Sequence, residues 1–335
     1  MILVTGANGL VGSHILFELV SRNKPVKALI RSVEKKDEIK KIFSYYTDNY
    51  EQLISSVNWV NGDICDIDSL ETAFNEVDEI YHTAAMVSFN PNRKHKIFRT
   101  NINGTKNIVD LALEKGIKKL AYISSVAALG SANNSEYIDE NLSYKPSEKN
   151  SNYAFSKFNA ELEIWRGIAE GLNVCIINPT IILGPGKWND GSSSFFKAIY
   201  NGLRLYPSGV NGFVDVRDVA KIIILLMEKE IFAEKFIVNS INTSYKELFN
   251  HINKNFGRHT KLIALPENIA KIAWRLEKIR SLIMHKEPII TKETIASAYK
   301  VSLYSNAKII QKLNYQFIPF EQTIKDICNY YLKDK

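Results

Sequence analysis

The chain has 335 residues, 45% of them hydrophobic and 24% charged, with a formal net charge of +7 at pH 7. This is the composition of a globular protein long enough for two lobes, or for one large α/β unit with an appended part. The lysines are scattered along helix faces, as in Glu34 to Lys41, and form neither a basic arm nor an aromatic-interleaved patch. The charge therefore reads as a solvated surface, and nucleic acid is not an expected partner.

Cys65, Cys175 and Cys328 are widely separated and odd in number, with neither metal-ligand nor disulfide spacing. They point to a reducing, cytoplasmic compartment and to no metal. Met1 runs directly into an apolar strand, which leaves no room for a signal peptide. The longest apolar stretch, Ile222 to Met227, is far short of the ~20 residues that span a bilayer.

Ile2-Leu3-Val4 has the composition of a buried parallel strand. A helix is predicted over Ser13 to Ser21, where Ile15, Leu16, Leu19 and Val20 repeat at helical spacing. Between them stands Gly6-Ala7-Asn8-Gly9-Leu10-Val11-Gly12. Glycines at this spacing allow a tight turn, close approach of backbone to a pyrophosphate, and close packing of helix on sheet. The helix N-terminus then offers free N–H groups and a positive dipole to the phosphates. The segment predicts dinucleotide binding by Gly6, Asn8, Gly9, Leu10, Val11 and Gly12.

Further strands are predicted at Val26 to Ile30, Val57 to Val60, Glu79 to Thr83, Leu120 to Ser124 and Val174 to Asn178. Helical patterns fill the gaps, such as Thr105 to Lys115 ending at Gly116. Alternating strands and helices predict an α/β fold: a doubly wound parallel sheet of the Rossmann type. After Asn178 the pattern loosens into Gly184-Pro185-Gly186, Trp188 to Ser194 and Leu205 to Gly209. A helix from Val216 to Glu230 and a strand from Lys235 to Asn239 follow, and Ser244 to Lys335 reads as mostly helical. The expected division is a dinucleotide-binding domain over 1–179 with a returning segment at about 212–241. The smaller, mostly helical substrate lobe is expected over 180–211 and 242–335.

Tyr153 and Lys157 are one helical turn apart on a single face. A free phenol, with a pKa of about 10, is a poor acid–base catalyst at neutral pH. A neighbouring ammonium favours the phenolate, so the tyrosine can exchange a proton with a carbonyl or alcohol oxygen. Ser124 and Ser125, at the end of the fifth strand, would present a hydroxyl in the same crevice to hydrogen-bond that oxygen.

The ordered set of motifs resembles an extended short-chain dehydrogenase/reductase, in the branch holding dihydroflavonol reductases and 3β-hydroxysteroid dehydrogenases. The resemblance runs nearly end to end: TGANGLVGS, Gly62-Asp63-Ile64, His82 to Ala85, Asn101 to Thr105, SSVAALG, YAFSK, Asn178-Pro179-Thr180 and Phe213 to Ala220. It implies a Ser125, Tyr153, Lys157 catalytic triad, Ser125 being five residues before Gly130. It further implies that Lys157 holds the nicotinamide ribose and that Asp63 and Ile64 contact the adenine. Thr83, Ala84, Ala85 and Ser124 would line the cofactor, with Asn101 supporting the site. Pro179, Thr180, Ile181 and Ile182 would pass the nicotinamide, and Ser194 would reach a phosphate. His82 reads as packing and the Asp215, Arg217, Asp218 cluster as structural. A homodimer is the family tendency.

One departure bears on the cofactor. An NAD-binding unit usually ends its second strand with an acidic residue that accepts hydrogen bonds from the ribose diol. Here Arg31 stands there, 19 residues past Gly12, suited to a 2′-phosphate. NADP is therefore expected, with NAD as the alternative. The first functional reading is an NADP-dependent reductase of a ketone or aldehyde on a small, fairly apolar molecule, for which Val126 to Leu129 and Phe195-Phe196 suggest the pocket. A nucleotide-sugar epimerase with tightly bound NAD and a cofactor sensor are the alternatives. The sensor has no need of the serine, tyrosine and lysine.

Overall fold

A computed structural model describes residues 1–130, 136–145, 151–284 and 291–335. The strands are β1 (Ile2–Thr5), β2 (Val26–Ile30), β3 (Asn58–Asn61), β4 (Glu79–His82), β5 (Lys119–Ile123), β6 (Tyr137–Ile138), β7 (Val174–Pro179), β8 (Ile181–Leu183), β9 (Leu205–Tyr206), β10 (Val210–Asp215), β11 (Glu234–Val238), β12 (Ile241–Ser244), β13 (Ile263–Ala264) and β14 (Leu303–Tyr304). The helices are α1 (Leu10–Ser21), α2 (Lys36–Ser44), α3 (Tyr50–Ser55), α4 (Ile67–Phe74), α5 (Lys94–Phe98), α6 (Gly104–Glu114), α7 (Asn152–Ala169), α8 (Ser193–Tyr200), α9 (Val216–Glu228), α10 (Tyr245–Asn255), α11 (Glu267–Met284), α12 (Lys292–Ala298), α13 (Ala307–Leu313) and α14 (Phe320–Lys333).

Seven strands form one parallel sheet in the order β3-β2-β1-β4-β5-β7-β11. Buried apolar side chains cover both of its faces. Leu16, Leu19, Ile222 and Ile223 from α1 and α9 pack on one side. Ile108, Ala160 and Ile164 from α6 and α7 pack on the other. Such two-sided burial is why β1 and the first four residues of β7 read as continuous apolar runs rather than alternating ones. The strand order reverses between β1 and β4, which opens a crevice beyond their carboxyl ends, Thr5 and His82.

Helix α1 begins at Leu10, three residues earlier than its apolar spacing indicates. Gly12 therefore lies inside the first turn, packed so closely that a Cβ there would stand 2.2 Å from the Gly6 carbonyl oxygen.

After Asn178, where the sequence reads as loops, helices and one returning strand, the chain also builds a second sheet. In it β10 pairs parallel with β8 and antiparallel with β12. Its core gathers Leu183, Phe196, Phe213, Leu248, Phe320 and Ile324. This corrects the expectation for the phenylalanine pair. Phe196 is fully buried in that core, and Phe195 packs on the rings of Tyr245 and Phe249. Leu129 is likewise buried, against Ile138, Ile237 and Tyr304.

Two contacts tie the segments together. Asp215 caps α9, pairs with Arg217 at 2.6 Å and accepts from Thr323 of α14 at 2.8 Å. Asp334, just past α14, accepts from the Tyr45 hydroxyl and the Trp188 indole N–H and pairs with Lys41 at 2.8 Å. Among the described residues, no helix is long and apolar enough to cross a membrane. No group of three acidic, histidine or cysteine side chains among them could hold a metal ion.

Candidate active site

Ser151 starts α7 by accepting the Ala154 N–H at 2.9 Å, which places Tyr153 in the first turn and Lys157 in the second. Lys157 is buried. Its Nζ donates to the Tyr122 hydroxyl at 3.0 Å and to the Ile123 carbonyl at 2.9 Å, and lies 4.6 Å from the centre of the Tyr122 ring. Burial pulls the ammonium down to about 7, against the opposing attraction of Glu161. Tyr153 is partly buried, with the Phe89 ring edge-on at 5.7 Å. Burial raises its phenol, and a hydrogen bond with the Ser125 hydroxyl acts in the opposite sense. Tyr153, Lys157 and Ser125 thus converge where α7 passes the end of β5.

The two serines separate sharply. Ser124 is buried and donates to the Glu161 carboxylate at 2.5 Å, so its hydroxyl is engaged inside the protein. Ser125 caps the short turn Val126–Ala128 by accepting the Ala127 N–H at 3.2 Å. Asn178 at the end of β7 donates to the Ser125 carbonyl at 3.1 Å and to Glu161 at 2.8 Å.

Asn101 lies in a π-helical turn, Arg99–Asn103. Its amide accepts the Met86 N–H at 2.7 Å and donates to the Met86 carbonyl at 3.0 Å and to Ser156 on α7 at 2.9 Å. It thereby fixes the loop after β4 against the helix carrying Tyr153. His82 bridges Thr5 at 2.8 Å and Thr105 at 3.0 Å beneath the crevice, and burial holds it neutral by lowering it to about 3.

The glycine loop turns at Gly6, whose φ of +68° is a left-handed conformation. The Thr83 hydroxyl donates to the Thr5 carbonyl at 2.7 Å, and the Ala84 backbone lies so close that a Cβ on Gly6 would stand 2.7 Å from it. Ala85 follows, exposed. A Cβ on Gly9 would meet nothing nearer than the Gly6 carbonyl oxygen at 3.2 Å. No side chain caps the first turn of α1, so the N–H groups of Leu10, Val11 and Gly12 face this open cradle. These residues fit a dinucleotide, whose pyrophosphate would satisfy those donors.

Around the cradle, Arg31 is exposed just past β2 and has no hydrogen-bond or ionic partner among the described residues. Asp63 accepts the Cys65 N–H at 2.9 Å, and Ile64 is buried against Gly104. Pro179 ends β7 beside Val238, Thr180 donates to Asn239 at 3.1 Å, and Ile181 and Ile182 lie in β8. The Ser194 hydroxyl donates to the Gly191 carbonyl at 2.6 Å in the first turn of α8.

The sequence reading did not single out Glu161, Tyr122, Glu38 or Lys187. Glu161 continues the four-residue spacing from Tyr153 through Lys157, and a carboxylate on that buried face was the available signal. Glu38 accepts from Asn8 of the glycine loop at 3.2 Å and pairs with Lys187 at 2.9 Å. Nothing local in the sequence marks that contact.

A parallel sheet with a glycine-loop cradle and a serine, tyrosine and lysine beside it defines an NAD(P)-dependent enzyme of the extended short-chain dehydrogenase/reductase type. The chain belongs to the NAD dependent epimerase/dehydratase family, whose model matches residues 2–239. It is 26% identical to a putative dihydroflavonol 4-reductase of Synechocystis sp. over 340 residues, which cover 98% of this chain and 93% of that protein. It is 27% identical over 271 residues to the sterol demethylase protein B of Methylococcus capsulatus, covering 80% of this chain and 78% of that one. Among solved structures, the Thermus thermophilus UDP-glucose 4-epimerase in complex with NAD superposes with a TM-score of 0.75 at 21% identity, over 99% of this chain and 98% of that one. This last likeness is one of fold.

Proposed function

We propose that the protein is an NADP-dependent reductase that converts a ketone or aldehyde on a small, fairly apolar molecule to the alcohol. The observation that carries this reading is Lys157, buried one helical turn after Tyr153 on α7 and donating to the Ile123 carbonyl two residues before Ser125. Ser125 orients the substrate carbonyl oxygen, and Tyr153 gives that oxygen its proton. Lys157 stabilises the phenolate left behind, which regains its proton from solvent before the next turnover. The bound dinucleotide supplies the hydride. Phe89, against Tyr153, and Met86 and Val87 in the same loop give the approach an apolar wall.

For the cofactor, the free guanidinium of Arg31 supports a 2′-phosphate contact. Asp63, Ile64, Thr83, Ala84 and Ala85 would line the adenosine side, and Pro179 to Ile182 the nicotinamide side. We read 1–179 with 212–241 as the cofactor-binding domain, and 180–211 with 242–335 as the lobe that closes over the substrate.

The competing reading is a nucleotide-sugar epimerase that retains NAD. Glu38 favours it, because a carboxylate beside Asn8 could accept from a free ribose diol. Mass spectrometry of the cofactor released from freshly purified protein separates the two. Exchangeable NADP(H), together with oxidation of added NADPH by apolar aldehydes or ketones, is the expected result. Stoichiometric, tightly retained NAD would overturn it.

A further inference from the structure

Glu161 is a buried carboxylate, 4% exposed, one helical turn after Lys157 on α7. Its Oε2 accepts from Ser124 of β5's end at 2.5 Å and from Asn178 of β7 at 2.8 Å. Its Oε1 accepts from the Trp165 indole at 3.4 Å and lies 3.7 Å from Lys235 of β11. The same Asn178 amide nitrogen holds the Ser125 carbonyl, while the buried Asn178 Oδ1 has no partner among the described residues. One carboxylate thus ties the helix carrying Tyr153 and Lys157 to the strand ends carrying Ser125. A buried charge is costly unless it is paired, and an apolar residue of similar size would pack α7 equally well. Lys157, buried on the same helix, donates only to the neutral oxygens of Tyr122 and Ile123.

We propose that Glu161 is a positioning residue for the reaction: the buried counter-charge that keeps Lys157 an ammonium, and the clamp that holds the Ser124–Ser125 corner against the Tyr153 helix. The inference rests on the catalytic reading of Ser125, Tyr153 and Lys157. The titratable groups around Lys157 are Tyr153 and Glu161, one turn before and after it on α7, Tyr122 of β5, to which it donates, and His82 of β4, stacked on the Tyr122 ring, with Lys235 of β11 beyond Glu161. His82 is neutral and the two phenols carry no charge at neutral pH, so Glu161 is the anion in this set. Its field acts on Lys157 in the direction that retains the proton.

Glu161→Gln keeps the length and a carbonyl acceptor for Ser124 and Asn178 while removing the charge. Glu161→Asp keeps the charge. In NADPH-dependent reduction, the alkaline limb of the kcat profile should move to lower pH by about one unit in Glu161→Gln and stay in place in Glu161→Asp. KM should change by no more than about twofold. An unmoved limb in Glu161→Gln overturns the proposal. A second measurement needs no turnover: the pH titration of the Lys157 side chain, followed by NMR in the cofactor-free protein, should shift acidward in Glu161→Gln by the same amount. That result stands or falls independently of whether Tyr153 proves to be the proton donor. If Glu161→Gln does not fold, the Glu161→Gln/Lys157→Met pair decides. Recovery of folding when both charges are removed supports the counter-charge, and failure to recover overturns it.

Discussion

Lys157 donates to the phenol of Tyr122 at 3.0 Å, and both side chains are buried. Removing the oxygen in Tyr122→Phe leaves the ring under the ammonium but takes away one of its acceptors. A hydrogen bond to a charged group is worth ~1.5–3 kcal/mol, or about one to two pH units on the lysine. Since burial already lowers Lys157 to about 7, activity that needs the ammonium is lost as pH rises through that value, and in Tyr122→Phe it should be lost at lower pH. A kcat–pH profile identical to that of the unaltered protein would show that the contact does not hold the proton.

Tyr153→Phe should reduce kcat by ~10²- to 10⁴-fold, the usual contribution of a positioned proton donor. Cofactor affinity, followed by nicotinamide fluorescence, should stay within about threefold. Lys157→Ala should reduce both. Near-normal turnover in Tyr153→Phe would remove the mechanism proposed for this site.

The three glycines of the loop should respond differently. A Cβ at Gly12 or Gly6 would collide with backbone at 2.2 Å and 2.7 Å, and Gly6 is also left-handed. Gly12→Ala and Gly6→Ala should therefore lower the melting temperature by several degrees. Gly9→Ala meets only one oxygen at 3.2 Å and should retain the fold, with Gly9→Val losing dinucleotide binding. Calorimetric melting with cofactor titration on each variant tests this, and equal destabilisation at all three positions would contradict it.

Arg31→Ala should weaken NADPH binding by ~10- to 100-fold, the equivalent of a charge-assisted hydrogen bond, and leave NADH nearly unchanged. Arg31→Asp should narrow the preference further or invert it. Equal losses for both cofactors would mean that Arg31 touches something they share, and would return weight to the carboxylate of Glu38.

Acid should destabilise the fold through two histidines. Burial lowers His14 to about 4 and His82 to about 3, from an ordinary value of 6.5. Below 6.5 the unfolded chain takes up these protons and the folded one does not, so stability falls as pH drops towards 4 and 3. Between pH 7 and 5 the loss is about 2 kcal/mol per imidazole. Asp218, raised by burial to about 6, opposes it in part. Urea midpoints at the two pH values should differ less in His82→Asn than in the unaltered protein.

The first half of the fold was legible because its signals are local. β1, β2, β4, β5 and β7 are short segments rich in β-branched, aliphatic and aromatic residues, and each is found within a residue or so of its expected place. The second sheet was not legible. β8 has three residues, and β12 reads Ile-Asn-Thr-Ser, too short or too polar to show a period. Within the site, Tyr153 and Lys157 share one helix and could be paired from spacing alone. Glu38 and Lys187 come from distant parts of the chain, and no local pattern encodes such a contact. Phe195 and Phe196 misled for a related reason: an adjacent aromatic pair looks the same in a pocket as in a core.

The clasp at Asp334 has a consequence for synthesis on the ribosome. Lys41 and Tyr45, translated early, receive their partner only when residue 334 has been added. Ile309 completes the apolar layer over the sheet, and Phe320, Ile324 and Ile327 cover Phe213 and Leu183. A nascent chain that has emerged as far as residue 239 holds every strand of the main sheet, yet it leaves these surfaces bare. Its final folding step therefore waits until residue 334 has emerged, and in that interval the uncovered layer is exposed apolar surface of the kind that makes partly folded chains prone to aggregate.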